Sequence, residues 1–150
     1  MSNGKIDESF WDNKEHDWTG KSFYYVHFFA VFYNPIGLGG KLERLYREIR
    51  AGGYKVLENM ALIEYGMFKG RAMVEVEKQD KYDANILNFD DKTTVDTSVY
   101  RGAPGKISEE IKRLSERVAS RRGMAPRFIF YKYVPDKSAG AYKTILFAIT

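Results

Sequence analysis

Cysteine is absent from the 150 residues. Its absence excludes disulfide frameworks, thiolate zinc sites and cysteine nucleophiles, and it is compatible with a reducing cytoplasm. Histidine is almost as scarce. His16 and His27 are the only two, and neither has metal-ligand spacing, so no metal and no cofactor are expected. No apolar run approaches the ~20 residues of a membrane helix. The opening MSNGKIDESFWDNKEHDW is polar and mixed in charge, unlike a signal peptide. A cytoplasmic protein with no membrane partner is therefore expected.

Several phosphate and hydrolase motifs are also missing. No serine sits in a Gly-x-Ser-x-Gly elbow, and GLGG at 37–40 lacks the ordered glycine spacing of a dinucleotide loop. The stretch YRGAPGKISEE (100–110) comes nearest to a phosphate loop. A Walker loop needs a glycine where Tyr100 stands and a Ser or Thr where Ile107 stands. Pro104 also removes a backbone donor, and Glu109 and Glu110 already bring negative charge to the helix start. The stretch reads as a strand-to-helix joint.

What the chain does have is aromatic residues: 11 Tyr, 10 Phe and 2 Trp, or 15%. Such an excess fits either a thick core or an aromatic-lined cavity. The length fits one domain able to bury a core. The net charge of +4 is mild, and part of it falls between Arg101 and Arg122, on a basic helix over 106–122. That helix is either a solvated face or a surface for a partner.

The order of elements is more informative. Residues 22–33, SFYYVHFFAVFY, are apolar on both faces and rich in β-formers, which predicts a central strand. After NPIGLGG, Leu42, Leu45, Tyr46 and Ile49 recur at helical spacing until Gly52-Gly53. KVLENMALIEYG and RAMVEVEKQ then read as two strands. A polar connection follows over 78–92. The order then starts again: a strand over 93–100, a helix with the stripe Ile107, Ile111, Leu114 and Val118, and Gly123 at its end. Strands over 127–134 and 142–149, joined by PDKSAGA, complete it. The predicted organisation is an N-terminal arm (1–20) and a single domain (21–150). Within the domain, repeat one spans about 22–78 and repeat two about 93–149, each strand-helix-strand-strand. The arm carries Trp11 and Trp18 and is expected to pack on the domain, over an opening.

Two such units in about 150 residues resemble the GyrI-like (gyrase-inhibitor-like, effector-binding) family. The resemblance rests on Tyr100-Arg101-Gly102 at a strand end, Gly123, the strand start from Pro126 to Tyr131, and the closing strand around Thr144. Leu45-Tyr46 before Gly52-Gly53-Tyr54 is similar in the first half. It implies an α+β fold in which duplicated strand-helix-strand-strand units form a pseudo-twofold antiparallel sheet with two helices packed on it. It also implies a cleft between the repeats that takes a hydrophobic or aromatic small molecule. One departure is clear: the family commonly has an acidic residue after the last-strand threonine, and here Thr144 is followed by Ile145.

Substitute carboxylates are Glu64 and Glu75, as general acid or base if the scaffold hydrolyses its ligand. Glu75 alternates with Val74 and Val76, and it reads equally as the solvent side of an amphipathic strand. The expected ligand-binding residues are Tyr25, Tyr33, Tyr65, Tyr100, Tyr131 and Tyr133, because a buried tyrosine hydroxyl needs a partner and a semi-polar cavity supplies one. Trp18 joins them from the arm. With no helix-turn-helix segment, and with acidic residues spread through the strands, nucleic acid is an unlikely partner. Three functions stay open: binding of a small molecule (sensing or sequestering it), its hydrolysis on the same scaffold, or docking of a protein on the basic helix.

Overall fold

The computed structural model describes residues 8–136 and 141–150. The turn expected within PDKSAGA falls largely outside the described residues, as do the first seven residues of the arm. In chain order the elements are α1 (Glu8–Trp11), β1 (Lys14–Asp17), β2 (Ser22–Val31), β3 (Asn34–Pro35), α2 (Leu38–Ala51), β4 (Val56–Glu64) and β5 (Lys69–Val76). There follow β6 (Ile86–Asn88), β7 (Thr94–Tyr100), a 3-10 turn at Pro104–Lys106, α3 (Ile107–Arg122), β8 (Phe128–Asp136) and β9 (Ala141–Ile149). The class is α+β, with antiparallel strand pairing and, among the described residues, two substantial helices and one short one. The chain forms two compact units. One is Trp18–Lys92; the other is the described part of Met1–Asp17 with Thr93–Thr150.

In the Trp18–Lys92 unit the strands run β4-β5-β2, with β3 and β6 both pairing with β2. Period-two alternation sorts the side chains. Val26, Phe28, Ala72, Val74 and Val76 are buried on the α2 side, where Leu45 and Ile49 are buried as well. Fully burying a side chain of this size is worth roughly 1.5–3 kcal/mol, so these few contacts seat the helix. The connection over 78–92 is more structured than its polarity predicts: it contributes β6 and the buried Phe89, which packs against Phe23 and Trp18. Tyr54 clamps its middle, donating to Asp83 at 2.6 Å. Burial and that carboxylate push the Tyr54 hydroxyl up to about 12, and the bond holds Asp83 below its ordinary value.

In the other unit the order is β1-β7-β9-β8. Ile107, Ile111, Leu114 and Val118, the stripe seen in the sequence, are all buried. Gly123 closes α3 with φ +73°, a left-handed conformation that only glycine adopts cheaply, and its N–H donates to the Ala119 carbonyl. The arm is part of this unit. Trp11 meets the buried Phe147 edge-on at 5.4 Å, and β1 pairs with the edge of β7. Trp18, the arm's other tryptophan, belongs instead to the Trp18–Lys92 unit, so the arm divides after Asp17.

Glu8 fastens the arm through Arg101 and Lys143. The hydrogen bond from Arg101, and then that from Lys143, lower the Glu8 carboxyl from 4.5 to about 2. A depressed carboxylate stabilises the folded arm above its unfolded pKa, and that contribution fades as the pH falls toward the folded value. Hydrogen exchange of the β1 amides, relative to intrinsic rates, should therefore speed up progressively from pH 5 to pH 2. In Glu8→Gln this acid dependence should be absent. The groups are exposed, so salt should weaken the effect. Identical acid profiles in the two proteins would remove Glu8 from the account.

Candidate functional site

Tyr24 donates to Glu48 of α2 at 3.0 Å, which fixes the inner face of β2. Its neighbour Tyr25 therefore lies on the helix-free face, as do His27 and Phe29. The register continues this face across the sheet: His27 is opposite Arg71, and Tyr25 is opposite Met73. Arg71 reaches Glu64 of β4 with two hydrogen bonds, at 3.0 and 3.3 Å, and its guanidinium lies 5.4 Å from the Tyr25 ring centre. Tyr25 donates to the Ala84 carbonyl at 2.9 Å. Glu64 and Tyr25, both expected from sequence, thus share one face, with Arg71 as the link that sequence reasoning missed. The signal was available: in EYGMFKGR, a hairpin turn places residues 64 and 71 opposite one another.

The same end of the strands carries an aromatic cluster. β2 turns into β3 through only two residues, Phe32 and Tyr33, between the paired Val31 and Asn34. Both have positive φ, 45° and 71°. A two-residue turn of this kind favours Asn-Gly, and bulky residues there cost of order 1–3 kcal/mol each. The rings compensate in part. Tyr33 stacks on Tyr65 at 4.2 Å with only 12° between planes, and Phe32 leans toward Phe68 at 6.2 Å. The β4–β5 turn comes close enough that a Cβ on Gly66 would lie 1.9 Å from the Lys69 carbonyl oxygen, so that position must be glycine. Phe29, Phe32 and Phe68 are 73%, 64% and 62% exposed, and Ile36 and Met67 are exposed beside them. Their apolar area is open to solvent at one end of the sheet.

The other expected residues lie elsewhere. Glu75 shares the helix-free face but lies toward the other end of the strands, opposite Phe23, and accepts from Lys21 at 3.0 Å. Glu64 and Glu75 are each engaged by a cation, so acid or base chemistry at either would first have to break an ion pair. Trp18 is buried against Phe23 and Phe89. Tyr131 is buried and Tyr133 half-exposed on the α3 side of β8, 5.0 Å apart; burial raises the Tyr133 hydroxyl above its ordinary value. Tyr100 turns back over Gly102 and donates to the Ala103 carbonyl at 2.8 Å, forming part of the wall of a separate pocket beside α3. Ile145, where the family commonly has an acid, is buried between Val99 and Lys132 in the register. Among the described residues no group of three or more His, Asp or Glu is placed to hold a metal, and no helix is long and apolar enough to cross a membrane.

No family model matches the sequence, and no curated protein matches it. Among solved structures the EcmrR C-terminal domain is similar, with a TM-score of 0.57 at 12% identity, over 93% of this chain and 98% of that one. The likeness is one of fold, in keeping with the resemblance to GyrI-like domains read from the sequence.

Proposed function

We propose that the chain is a small-molecule-binding domain that takes a planar hydrophobic or aromatic compound at the aromatic end of its Trp18–Lys92 unit. The observation that carries this reading is the Phe32-Tyr33 turn. Two aromatic residues occupy left-handed positions where Asn-Gly would be unstrained, and Phe29, Phe32 and Phe68 expose their rings beside it. Strain of this size persists where function needs it. The stacked Tyr33–Tyr65 pair and the three phenylalanines offer faces and edges for offset packing with a flat ligand. Glu64 is already neutralised by Arg71, so a neutral ligand suits the face better than a cation. The effector-binding fold is in keeping with a small-molecule ligand.

The test uses a neutral probe, N-phenyl-1-naphthylamine, whose emission rises in apolar surroundings. Wild-type protein should bind it saturably. The double variant Phe32→Asn/Tyr33→Gly should lose at least about tenfold in affinity, the loss of one to two ring contacts. The same variant should gain roughly 1–2 kcal/mol in stability as the turn strain is relieved. Equal affinity in the two proteins, or no saturable binding by wild type, would reject the site.

A further inference from the structure

We propose a second, chemically opposite site: the pocket beside α3 binds a small molecule through an anionic head group, a carboxylate or a phosphate. The pocket measures about 420 Å³ and is built wholly within the unit that contains α3. The turn after α1 forms one wall, the end of β7 another, and the two turns of α3 from Glu110 to Arg117 the third.

Its charges are arranged unequally. Asp12 is turned to the strand, accepting from the Val99 N–H at 3.1 Å. Glu110 accepts from Ser98 at 3.4 Å and from Arg113 at 2.8 Å, and its side chain is mostly buried. Arg101 leans away to Glu8. Arg117 differs from both other arginines in its partner: it donates at 2.6 Å to the amide oxygen of Asn13, a neutral group. Asn13 is held for this contact in a left-handed conformation, φ 54°. The positive charge of Arg117 is thus matched by a dipole rather than by a carboxylate.

Arg113 and Arg117 are one turn apart on α3, and residues at this spacing sit roughly 5–6 Å apart on one helix face. Two guanidiniums so placed suit the oxygens of one carboxylate or phosphate, Arg113 through the N–H groups not given to Glu110 and Arg117 through those not given to Asn13. This is side-chain recognition, distinct from a backbone phosphate cradle. The glycine-containing loop beside it is closed to that use, because the Tyr100 ring covers Gly102. Asp12 and Ser98 also line the pocket. The site lies in a different unit from the aromatic end, and it selects for charge where that one selects against it.

Titration calorimetry with pyrophosphate and, separately, citrate tests this at a constant ionic strength set with sodium chloride. At least one probe should bind with one-to-one stoichiometry, and which of them binds identifies the head group. Arg117→Gln and Arg113→Gln should each weaken binding by about tenfold, the usual loss for one charge-assisted contact. Arg47→Gln, an exposed change on α2, should leave it unaltered. N-phenyl-1-naphthylamine binding should be the same in all three variants, which separates failure here from failure of the aromatic site or of folding. Absence of binding by both probes would overturn the proposal. So would equal affinity in wild type and Arg117→Gln, or an equal loss in Arg47→Gln.

Discussion

Asp96→Ala should destabilise the protein by about 3–5 kcal/mol, the range for removing one partner of a buried ion pair. Asp96 is 2% exposed, the least accessible carboxylate in any ion pair of the described residues. Arg122 reaches it with two hydrogen bonds, at 2.8 and 3.0 Å, and Arg121 lies 3.6 Å away. The bond to Asp96 raises the Arg122 guanidinium above its ordinary value, so the cation stays charged at any working pH. Without Asp96 the largely buried guanidinium keeps only Glu15, an exposed carboxylate 2.9 Å away. For a chain of this length the loss corresponds to roughly 6–20 °C in Tm.

The double change Asp96→Leu/Arg122→Met separates the pair from the cost of orphaning one member. Apolar replacement of a whole buried pair is often close to neutral. The double variant should therefore lose much less than the sum of Asp96→Leu and Arg122→Met, with a coupling energy of roughly 2 kcal/mol or more. Urea unfolding of the four proteins measures it. Additive losses would mean that the two side chains stabilise independently and that Arg122 matters through Glu15, 2.9 Å from it, instead.

How much of this was legible in the sequence depends on whether a feature is local. β2 was readable because SFYYVHFFAV is saturated with aromatic and β-branched residues, and α3 because its stripe repeats at helical spacing. β1 was not, because KEHD has no apolar alternation. It is a strand only because the edge of β7 offers it unpaired backbone groups, and that is a tertiary fact. β6 is three residues long and hidden in a polar segment, although Ile86, Leu87 and Phe89 were a usable hint. The Phe32-Tyr33 turn breaks the rule that would have announced it: a hairpin with aromatics at positive φ looks like more strand. The site residues divide in the same way. Tyr25, Tyr100, Tyr131 and Tyr133 lie on strands, Tyr33 and Tyr65 in the turns after β2 and β4, and composition cannot tell a wall from a core. Trp18 and Tyr131 turned out buried, whereas Tyr33 and Tyr65 stack at an exposed end. Phe29, Phe32 and Phe68, the most open rings of that end, were not singled out, because an exposed phenylalanine has no sequence signature of its own.

The second large effect is expected at Phe147, where removal of the ring should cost about 3–5 kcal/mol. Phe147 is fully buried in the middle of β9, with Thr97 on one side in the register and Phe130 on the other. Its ring also receives Trp11 from the arm at 5.4 Å, and Trp11 in turn carries Phe10 edge-on at 4.7 Å. Phe147→Ala therefore opens a cavity and removes the platform on which the arm rests. Phe147→Leu keeps most of the volume but no aromatic edge, so it should cost roughly 1–1.5 kcal/mol, near the upper limit for a volume-conserving swap. Trp11 reports on the arm directly when Trp18 is changed to Phe in every protein compared. In that background Phe147→Ala should shift the Trp11 emission to the red at temperatures well below the unfolding transition, because the arm loses its seat before the strands part. If Phe147→Ala lowers Tm by the expected amount while Trp11 keeps its native emission until the main transition, the arm is held by β1 and by Glu8, and the Trp11–Phe147 contact contributes packing alone.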